Sequence, residues 1–367
     1  MTRRICIVAP SLDIVGGQAV VAQRLMQHLA GDPQLVVSFL PHNPRLPGVL
    51  RALQRVKYVR TVSTSVAYLA SLLRELPRHD VIHVFSASYW SFVLAPTPAV
   101  LLGRLFGKRV ILNYRSGEAD DHLTRWRRFA PAVMRRASLI VVPSNYLVDV
   151  LGRHGIAAQS IFNFVDVEAI PYRERSELRP LFLSNRNFAP HYDVACVLRA
   201  FRLIQDARPE ARLVVAGDGE QRDMLHALAR ELKLRQVDFV GQVTTSAMAA
   251  LYDAADVYLN APRVDNMPNS IIESFAAGLP VVSTDAGGIP YIVAHGETGL
   301  LSEPGDHQRL ADHALQLLGA PALGRRLAIN ARREVLQKYS WATVHARWRE
   351  AYAVTNDDGP DARKRFA

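Results

Sequence analysis

Residues 263–288 read RVDNMPNSIIESFAAGLPVVSTDAGG, and this segment decides the fold of the second half of the chain. Pro268 disfavours helix at the residue before it, and Asn269 is a favourable N-cap for a helix over 270–277. Gly278 can take the left-handed conformation that ends such a helix. Residues 279–283 then predict a buried strand. A loop, a helix and a buried strand in this order are typical of one unit of a parallel α/β sheet.

The start of this predicted helix has the chemistry of an anion site. The backbone N–H groups of Ser270 and Ile271 are expected to lack partners in the chain, which suits a diphosphate. Asp265 precedes the helix and Glu273 lies inside it, eight positions later, so a polyhydroxyl ligand attached to phosphate could be held at both ends. The alternative is that the acids only complement the helix dipole. Spacing alone leaves both interpretations open.

Length and composition favour a soluble protein of two domains. The chain has 367 residues, of which 49% are hydrophobic and 21% charged. No apolar run reaches the roughly 18 residues that span a bilayer, and residues 5–10 are too short for a signal peptide, so we expect a cytoplasmic protein. Cys6 and Cys196 lack CxxC spacing, which favours reduced thiols and neither a disulfide nor a metal site.

Positive charge is concentrated in the first half of the chain. Residues 1–165 carry 20 Lys and Arg against 8 Asp and Glu, whereas the remainder carries 24 against 26. This indicates an anionic partner: membrane lipid, a phosphorylated substrate or nucleic acid. Nucleic acid is disfavoured because aromatic residues are not interleaved with the basic ones. Residues 48–76 mix basic and apolar side chains, and a second basic cluster consists of Arg125, Arg127, Arg128, Arg135 and Arg136.

These two basic regions predict peripheral contact of the first domain with the anionic inner face of a membrane. The alternative is that they are solvated helix faces.

Strand and helix patterns alternate along both halves, which predicts two Rossmann-like α/β domains with parallel sheets. We predict a first domain over 1–167, a polar linker over 168–180 and a second domain over 181–338. A C-terminal helix over 339–355 and a disordered tail over 356–367 follow. Ligands of such folds bind outside the carboxyl ends of the strands.

Several short motifs occur in a definite order along the chain. A nicotinamide dehydrogenase is disfavoured, because no Gly-x-Gly-x-x-Gly follows the first strand. Each motif is common alone, but the ordered set is specific. The motifs are Gly16-Gly17, Asp80-Val-Ile-His83, Val142-Pro-Ser144, Asn163-Phe-Val-Asp166, Val215-Ala-Gly-Asp-Gly219, Phe239-Val-Gly241, the acids Asp265 and Glu273, and Gly287-Gly288.

This set resembles the family 4 retaining glycosyltransferases of the GT-B fold. The resemblance implies two Rossmann-like domains facing a central cleft, with a C-terminal helix crossing back to the first domain. It also implies transfer of a hexose-type sugar, with retention, from a nucleotide-diphosphate donor that is UDP- or GDP-linked. The acceptor would be a glycan or lipid-linked molecule, and neither a metal nor another cofactor would be needed.

The resemblance assigns catalytic roles to Asp265, Arg186 and Arg115. Arg186 and the backbone at Gly16 and Gly17 would contact the diphosphate. Glu273 would accept the ribose hydroxyls. Asp265 would lie near the hexose, where the family more often has Glu, a side chain longer by about 1.5 Å. The other donor-side residues implied are Gly217, Gly219, Val240, Gly241, Asn266, Met267, Pro268, Asn269, Ser270 and Ile271.

On the acceptor side, the segment after the strand at 110–113 is the candidate. His83 is expected instead to be a hydrogen-bonded core group. The acceptor-side residues predicted are Tyr114, Arg115, Glu118, Asp121 and His122.

Two departures from the family pattern concern the donor side. The family usually has a Lys five residues after its Arg, where this chain has His191, and Asp265 replaces Glu. These departures keep open a catalytically inactive regulator or scaffold that binds sugar nucleotides. The sequences of residues 185–193 and 265–269 resemble those of a bacterial branch of this family that builds cell-surface or exported polysaccharides.

Overall fold

The computed structural model describes residues 2–12, 17–46, 54 and 56–353, and the chain divides into two compact units. The first unit comprises the described residues up to Ile161 together with those from His345 onward. The second unit is Phe162–Val344. Each unit has a parallel sheet of six strands covered by helices, as predicted for an α/β protein.

The first sheet has the strand order β2-β1-β3-β4-β5-β6. Its central strands β3 and β4 are buried along their whole length, which explains their near-continuous apolar runs. The short strand β6 was not predicted. The strands are β1 Arg3–Ala9, β2 Leu35–Pro41, β3 Val81–Ser86, β4 Arg109–Tyr114, β5 Leu139–Val142 and β6 Gln159–Ser160.

Two helical stretches in the first unit are each divided into two helices. Residues 91–105 form two helices because Pro96, which has no N–H to donate, begins the second. Residues 124–136 likewise span the end of one helix and a second short one. The helices are α1 Gly17–Leu29, α2 Lys57–Glu75, α3 Tyr89–Leu94, α4 Pro96–Leu105, α5 Ala119–Arg125, α6 Phe129–Met134 and α7 Asn145–Arg153.

The second sheet has the strand order β12-β11-β10-β7-β8-β9. Its strands are β7 Leu181–Ser184, β8 Arg212–Ala216, β9 Val237–Gly241, β10 Val257–Asn260, β11 Val281–Thr284 and β12 Leu300–Ser302. The helices are α8 Val194–Ala207, α9 Arg222–Glu231, α10 Thr245–Ala254, α11 Asn269–Ala277, α12 His307–Gly319 and α13 Pro321–Glu334, followed by a π-helical turn, Val335–Tyr339, and α14 Trp341–Ala353.

The segment over 168–180, predicted to be a linker, is part of the second compact unit, which begins at Phe162. Arg175 holds the segment there. Its side chain is fully buried, pairs with Asp256 and donates from Nε to the carbonyl of Ala255 at 2.9 Å. Polar composition and prolines suggested a solvated connector, but buried hydrogen bonds hold the segment against the second core.

From His345 onward, α14 belongs to the first unit. His345 Nε2 lies 3.0 Å from Asp32 Oδ2, and Arg109 Nε donates to the carbonyl of Ala351 at 3.1 Å. The predicted tail over 356–367 lies outside the described residues. Among the helices that the structure describes, none is both long and apolar enough to cross a bilayer. Cys6 and Cys196 are buried free thiols, as predicted.

Strand order also identifies where ligands can bind. In each sheet the chain reverses direction across the sheet once, and loops on the two sides of that switch point diverge and leave a crevice. The switch lies between β1 and β3 in the first unit and between β7 and β10 in the second. In the second unit, the loops after β7 and β10 carry Arg186 and Asp265.

Candidate functional site

Arg186 and Asp265 form a buried ion pair at the switch point of the second sheet. Their side chains are only 10% and 11% exposed. Arg186 Nη1 also donates to Ser270 Oγ at 3.1 Å, and its guanidinium carbon lies 4.0 Å from the centre of the Tyr192 ring. Two predicted catalytic residues and one residue of the helix start therefore meet at one place.

The charge of Arg186 is retained despite its burial. Burial alone lowers the pKa of the guanidinium, but the Asp265 carboxylate opposes this effect, and the pKa stays above its ordinary value. Arg186 Nε is buried without a partner in the described part of the chain. Buried donors without partners are costly and uncommon, and they deserve a functional explanation.

Gly287 and Gly288 are required by the backbone of the Asp265 loop. A Cβ on Gly288 would lie 1.9 Å from the carbonyl oxygen of Asn266, and one on Gly287 would lie 2.2 Å from that of Asp265. The Gly288 amide also donates to the Asp265 carbonyl at 2.9 Å. Any side chain at these positions would displace the loop that carries the acid.

Gly217 and Gly219 support the Arg186 loop in the same way. A Cβ on Gly217 would lie 2.1 Å from the Arg186 carbonyl oxygen, and one on Gly219 would lie 2.8 Å from that of Phe188. Gly217 donates to the Gly241 carbonyl at 2.8 Å, at the end of β9 where Val240 is exposed. The protein's own backbone explains why these positions are glycine; their predicted contact with a donor stays a prediction.

The start of α11 differs in detail from the sequence-based expectation. The helix begins at Asn269 with Pro268 as its N-cap, so Asn269 is the first helical residue and not the cap. The Ile271 amide is not free, because it donates to the Pro268 carbonyl at 3.2 Å in a tight first turn. The amides at the tip of the helix are therefore those of Asn269 and Ser270. Gly278 ends the helix with φ of +75°, as predicted.

Met267 and Asn266 are buried in the loop before α11. Asn163 holds this loop by donating from Nδ2 to the Met267 carbonyl at 3.1 Å. The donor-side residues 265–271 are thus fixed by contacts on both sides, from residue 163 and from the Gly287-Gly288 turn.

Glu273 is half-buried and is bound by residues that the sequence analysis did not identify. Tyr252 donates its hydroxyl to Glu273 Oε2 at 2.9 Å, and Asn185 Nδ2 donates to the same hydroxyl at 2.7 Å. A buried tyrosine usually has a hydrogen-bond partner, which is the one sequence signal that could have pointed to Tyr252. That signal does not name the partner.

At the switch point of the first sheet, Gly16 lies outside the described residues. Gly17 begins α1, and a Cβ there would meet nothing within 4 Å. Gln18 Nε2 donates to the Ser86 carbonyl at 3.3 Å, which connects the start of α1 to the end of β3.

Among the acceptor-side candidates, Tyr114 and His122 are fully buried. The Tyr114 hydroxyl lies 2.9 Å from His122 Nδ1 and 2.9 Å from Ser88 Oγ, and burial lowers the pKa of His122 to about 4. In this arrangement the two side chains bond to each other and to Ser88, and neither is exposed to an acceptor. Glu118 and Asp121 are exposed, and Asp121 accepts a hydrogen bond from the Tyr89 hydroxyl.

Arg115 is half-buried and has its guanidinium carbon 5.6 Å from the Phe85 ring centre. Burial lowers its pKa to about 10, which leaves it cationic at neutral pH. His83 is a hydrogen-bonded core group, as expected: its Nδ1 lies 2.8 Å from the Tyr352 hydroxyl and its Nε2 accepts from Asn113 Nδ2 at 3.0 Å.

Two family models together cover most of the chain. The Glycosyltransferase Family 4 model matches residues 15–169, and the Glycosyl transferases group 1 model matches residues 168–334. The chain is 30% identical to a glycogen synthase of Mycobacterium tuberculosis, over 75% of this chain and 69% of that protein.

The chain is also 28% identical to the N-acetyl-alpha-D-glucosaminyl L-malate synthase of Bacillus anthracis, over 54% of this chain and 55% of that protein. The chain thus spans about half the length of that relative. Among solved structures, the fold is similar to that of Anabaena Alr3699/HepE in complex with UDP and glucose. The TM-score is 0.74 at 18% identity, and the match covers 96% of this chain and 99% of that one. With the ordered motifs and two parallel six-stranded sheets, these matches show that the chain belongs to the family 4 glycosyltransferases, which have the GT-B fold.

Proposed function

We propose that the chain is a retaining glycosyltransferase that moves a hexose from a nucleoside diphosphate donor to a glycan or lipid-linked acceptor. The observation that carries the proposal is the meeting of Arg186, Asp265 and the start of α11 at the switch point of the second sheet. A buried cation next to a helix N-terminus suits a diphosphate. We propose a UDP- or GDP-linked donor, used without a metal; the UDP and glucose in the Anabaena structure of similar fold support a nucleoside diphosphate donor.

In the proposed reaction, the bond between the anomeric carbon and the diphosphate oxygen breaks, and a bond to the acceptor oxygen forms on the same face of the sugar. The acceptor proton passes to the departing phosphate oxygen. Arg186 and the amides at the tip of α11 stabilise the charge that develops on the leaving group. Arg115 is the proposed catalytic cation on the acceptor side. We expect no covalent sugar adduct on Asp265 or Glu273; trapping one by mass spectrometry would contradict this mechanism.

We propose that Arg186 alone supplies the phosphate charge for which the family usually adds a Lys. His191, at the Lys position, is exposed, and its ring contacts Tyr192 with 4.1 Å between ring centres. Arg186→Lys should abolish most transfer activity, because Lys cannot form the fork that binds two phosphate oxygens. The control His191→Ala should retain activity. The reverse result would assign the charge to His191.

The donor site is tested by thermal unfolding with a panel of UDP-, GDP- and ADP-linked sugars. A true donor at about 100 times its Kd should stabilise the protein by about 2.7 kcal/mol. Glu273→Gln should reduce this stabilisation. If none of the nucleotides raises the midpoint, the proposal is wrong. A donor that binds but is neither transferred nor hydrolysed, with or without acceptor extracts, would favour the inactive regulator instead.

We further propose that the enzyme docks on anionic membranes and works in polysaccharide or glycolipid biosynthesis. The support is an exposed apolar stripe on α2, whose members recur every three or four residues. Tyr68 and Leu72, on the adjoining face of α2, are buried, and Arg60 and Arg74 are exposed. The stripe consists of Tyr58, Val62, Val66, Leu69 and Leu73, which are between 44% and 79% exposed.

An amphipathic helix with basic neighbours binds the interface of anionic bilayers. The five arginines of the second basic cluster are also exposed, whereas residues 48–53 and 55 lie outside the described residues. Val62→Ser with Val66→Ser should abolish sedimentation with phosphatidylglycerol vesicles, whereas Ala70→Ser, also on the surface of α2, should not. Equal sedimentation of all variants, or independence from anionic lipid and salt, would remove the membrane proposal.

A further inference from the structure

We propose that Tyr252 and Asn185 are positioning residues that hold the carboxylate of Glu273 and so set the enzyme's preference for a nucleotide with ribose hydroxyls. The inference rests on the proposed role of Glu273 in binding the donor ribose. It adds two residues, from two other elements, to that role.

Three elements of the second unit meet at this carboxylate. Tyr252 projects from α10, Asn185 follows β7, and Glu273 lies in the second turn of α11. The two hydrogen bonds measure 2.9 Å, from the Tyr252 hydroxyl to Glu273 Oε2, and 2.7 Å, from Asn185 Nδ2 to the hydroxyl. Both lie within the normal range for their atom types. Of the ten residues of α10, all of which are described, Tyr252 is the one that is buried.

The direction of the two bonds is determined by the number of protons available. An ionised carboxylate can only accept, so the single proton of the Tyr252 hydroxyl must point to Glu273. The hydroxyl oxygen must then accept from Asn185, which requires the amide to present Nδ2 and not Oδ1. Burial, and then the charge of Glu273, raise the pKa of Tyr252 well above its ordinary value, so Tyr252 remains a proton donor at neutral pH.

This arrangement leaves the carboxylate oriented before the nucleotide arrives. A glutamate side chain has three torsions, and ordering them on binding costs conformational entropy. With Oε2 held by Tyr252, part of this ordering takes place during folding, before the nucleotide binds. A merely structural tyrosine would contribute to stability without affecting which nucleotide binds.

The test compares Tyr252→Phe with the wild type by isothermal titration of UDP and of its 2′,3′-dideoxy analogue, with the GDP pair in parallel. We expect Tyr252→Phe to weaken the ribonucleotide about tenfold, the change that corresponds to one hydrogen bond of about 1.4 kcal/mol, and to weaken the dideoxy analogue less than about twofold. Asn185→Ala leaves the bond from Tyr252 to Glu273 in place but removes the second bond, together with the 3.1 Å contact from Asn185 Nδ2 to Met248 Sδ. It should give a smaller change of the same sign and serves if Tyr252→Phe does not fold.

The matched control is Tyr68→Phe in the first unit. Tyr68 is also buried and donates to the Ala95 carbonyl at 2.8 Å, so its variant should lose stability without changing the preference between the two nucleotides. A Tyr252→Phe protein that prefers the ribonucleotide as strongly as the wild type does would overturn the positioning role alone. A wild type that binds both nucleotides equally would overturn the ribose-binding role of Glu273, and this inference with it.

Discussion

The two units hold their candidate residues in opposite ways. In the second unit, Arg186 and Asp265 are desolvated, paired and supported by glycines that their loops contact backbone to backbone. In the first unit, Glu118 and Asp121 are exposed side chains on one short segment, and the buried members of that segment bond to each other. A desolvated ion acts strongly at one fixed place, whereas an exposed carboxylate is screened by water. This contrast supports the proposal that the second unit binds a constant group such as a diphosphate and that the first unit binds the acceptor.

The largest expected effect comes from the turn under the Asp265 loop. Gly288→Ala places a Cβ against the Asn266 carbonyl and should cost about 3 kcal/mol of unfolding free energy, with loss of nucleotide binding. Gly319→Ala, at the end of α12 where a Cβ meets nothing within 4 Å, is the matched control and should leave nucleotide binding unchanged without lowering the stability. Chemical unfolding measures the difference. A Gly288→Ala protein of wild-type stability would show that the Asp265 loop of the second unit is not rigidly packed.

Breaking the buried ion pair of the second unit should lower stability more than breaking an exposed ion pair of the first unit. Arg186→Met removes the cation beside Asp265, whose carboxylate still accepts from the Asn266 amide, and should cost about 2 kcal/mol of stability. The double variant Arg186→Met with Asp265→Asn should be more stable than Arg186→Met alone, because no buried charge then remains. Arg125→Ala removes the exposed pair with Asp121 in the first unit and should not shift the unfolding midpoint measurably. If Arg186→Met and Arg125→Ala lost the same stability, the proposed difference in desolvation between the two ion pairs would be wrong.

The smallest expected effect is a dependence of the first unit on pH. Burial lowers the pKa of His83 to about 3, below its ordinary value of about 6.5. Above pH 6.5 the residue is neutral in both states; below it the unfolded chain gains a proton that the folded chain does not. Stability therefore falls as pH decreases from about 6.5 towards 3, by about 1 kcal/mol at pH 5.5 for this residue.

His83→Gln should reduce this acid-dependent loss by a similar amount. Unfolding at pH 7.0 and 5.5, followed by tryptophan fluorescence, measures it, since Trp90, Trp126 and Trp348 all belong to the first unit. His307→Gln, in the second unit, is the control. If the loss between the two pH values is the same in wild type and His83→Gln, the burial of His83 does not contribute to acid sensitivity.

Local patterns predicted much of the fold. Apolar runs mark most of the strands in the described part of the chain, because parallel strands buried on both faces need continuous apolar sequence. Gly278 was identified as the end of α11 since its left-handed conformation has a local cause. The packing of the predicted linker has a non-local cause. Residues 168–180 are polar in sequence, yet Arg175 is buried by hydrogen bonds to residues about 80 positions away.

The candidate donor-side residues were predicted through resemblance, but their contacts within the chain were not. Glycine motifs indicated the loops at Arg186 and Asp265. Each glycine is required because a Cβ there would clash with a backbone carbonyl group distant in sequence. The bond from Tyr252 to Glu273 joins two helices that are separated by a strand and a loop, and no spacing rule reports it. The same holds for Tyr89, which was not considered a candidate although it donates to Asp121.

By itself, the sequence determined that this chain forms two parallel α/β units and carries the acids, the arginine and the glycine turns of its family. Hydrophobic periodicity, helix ends and turn glycines are properties of neighbouring residues, so they can be read along the chain. Only the tertiary structure decided that Arg186 pairs with Asp265, that Tyr252 holds Glu273, and that Tyr114 and His122 are buried. These contacts depend on which loops the strand order brings to one edge of a sheet, and on which side chains lose water there.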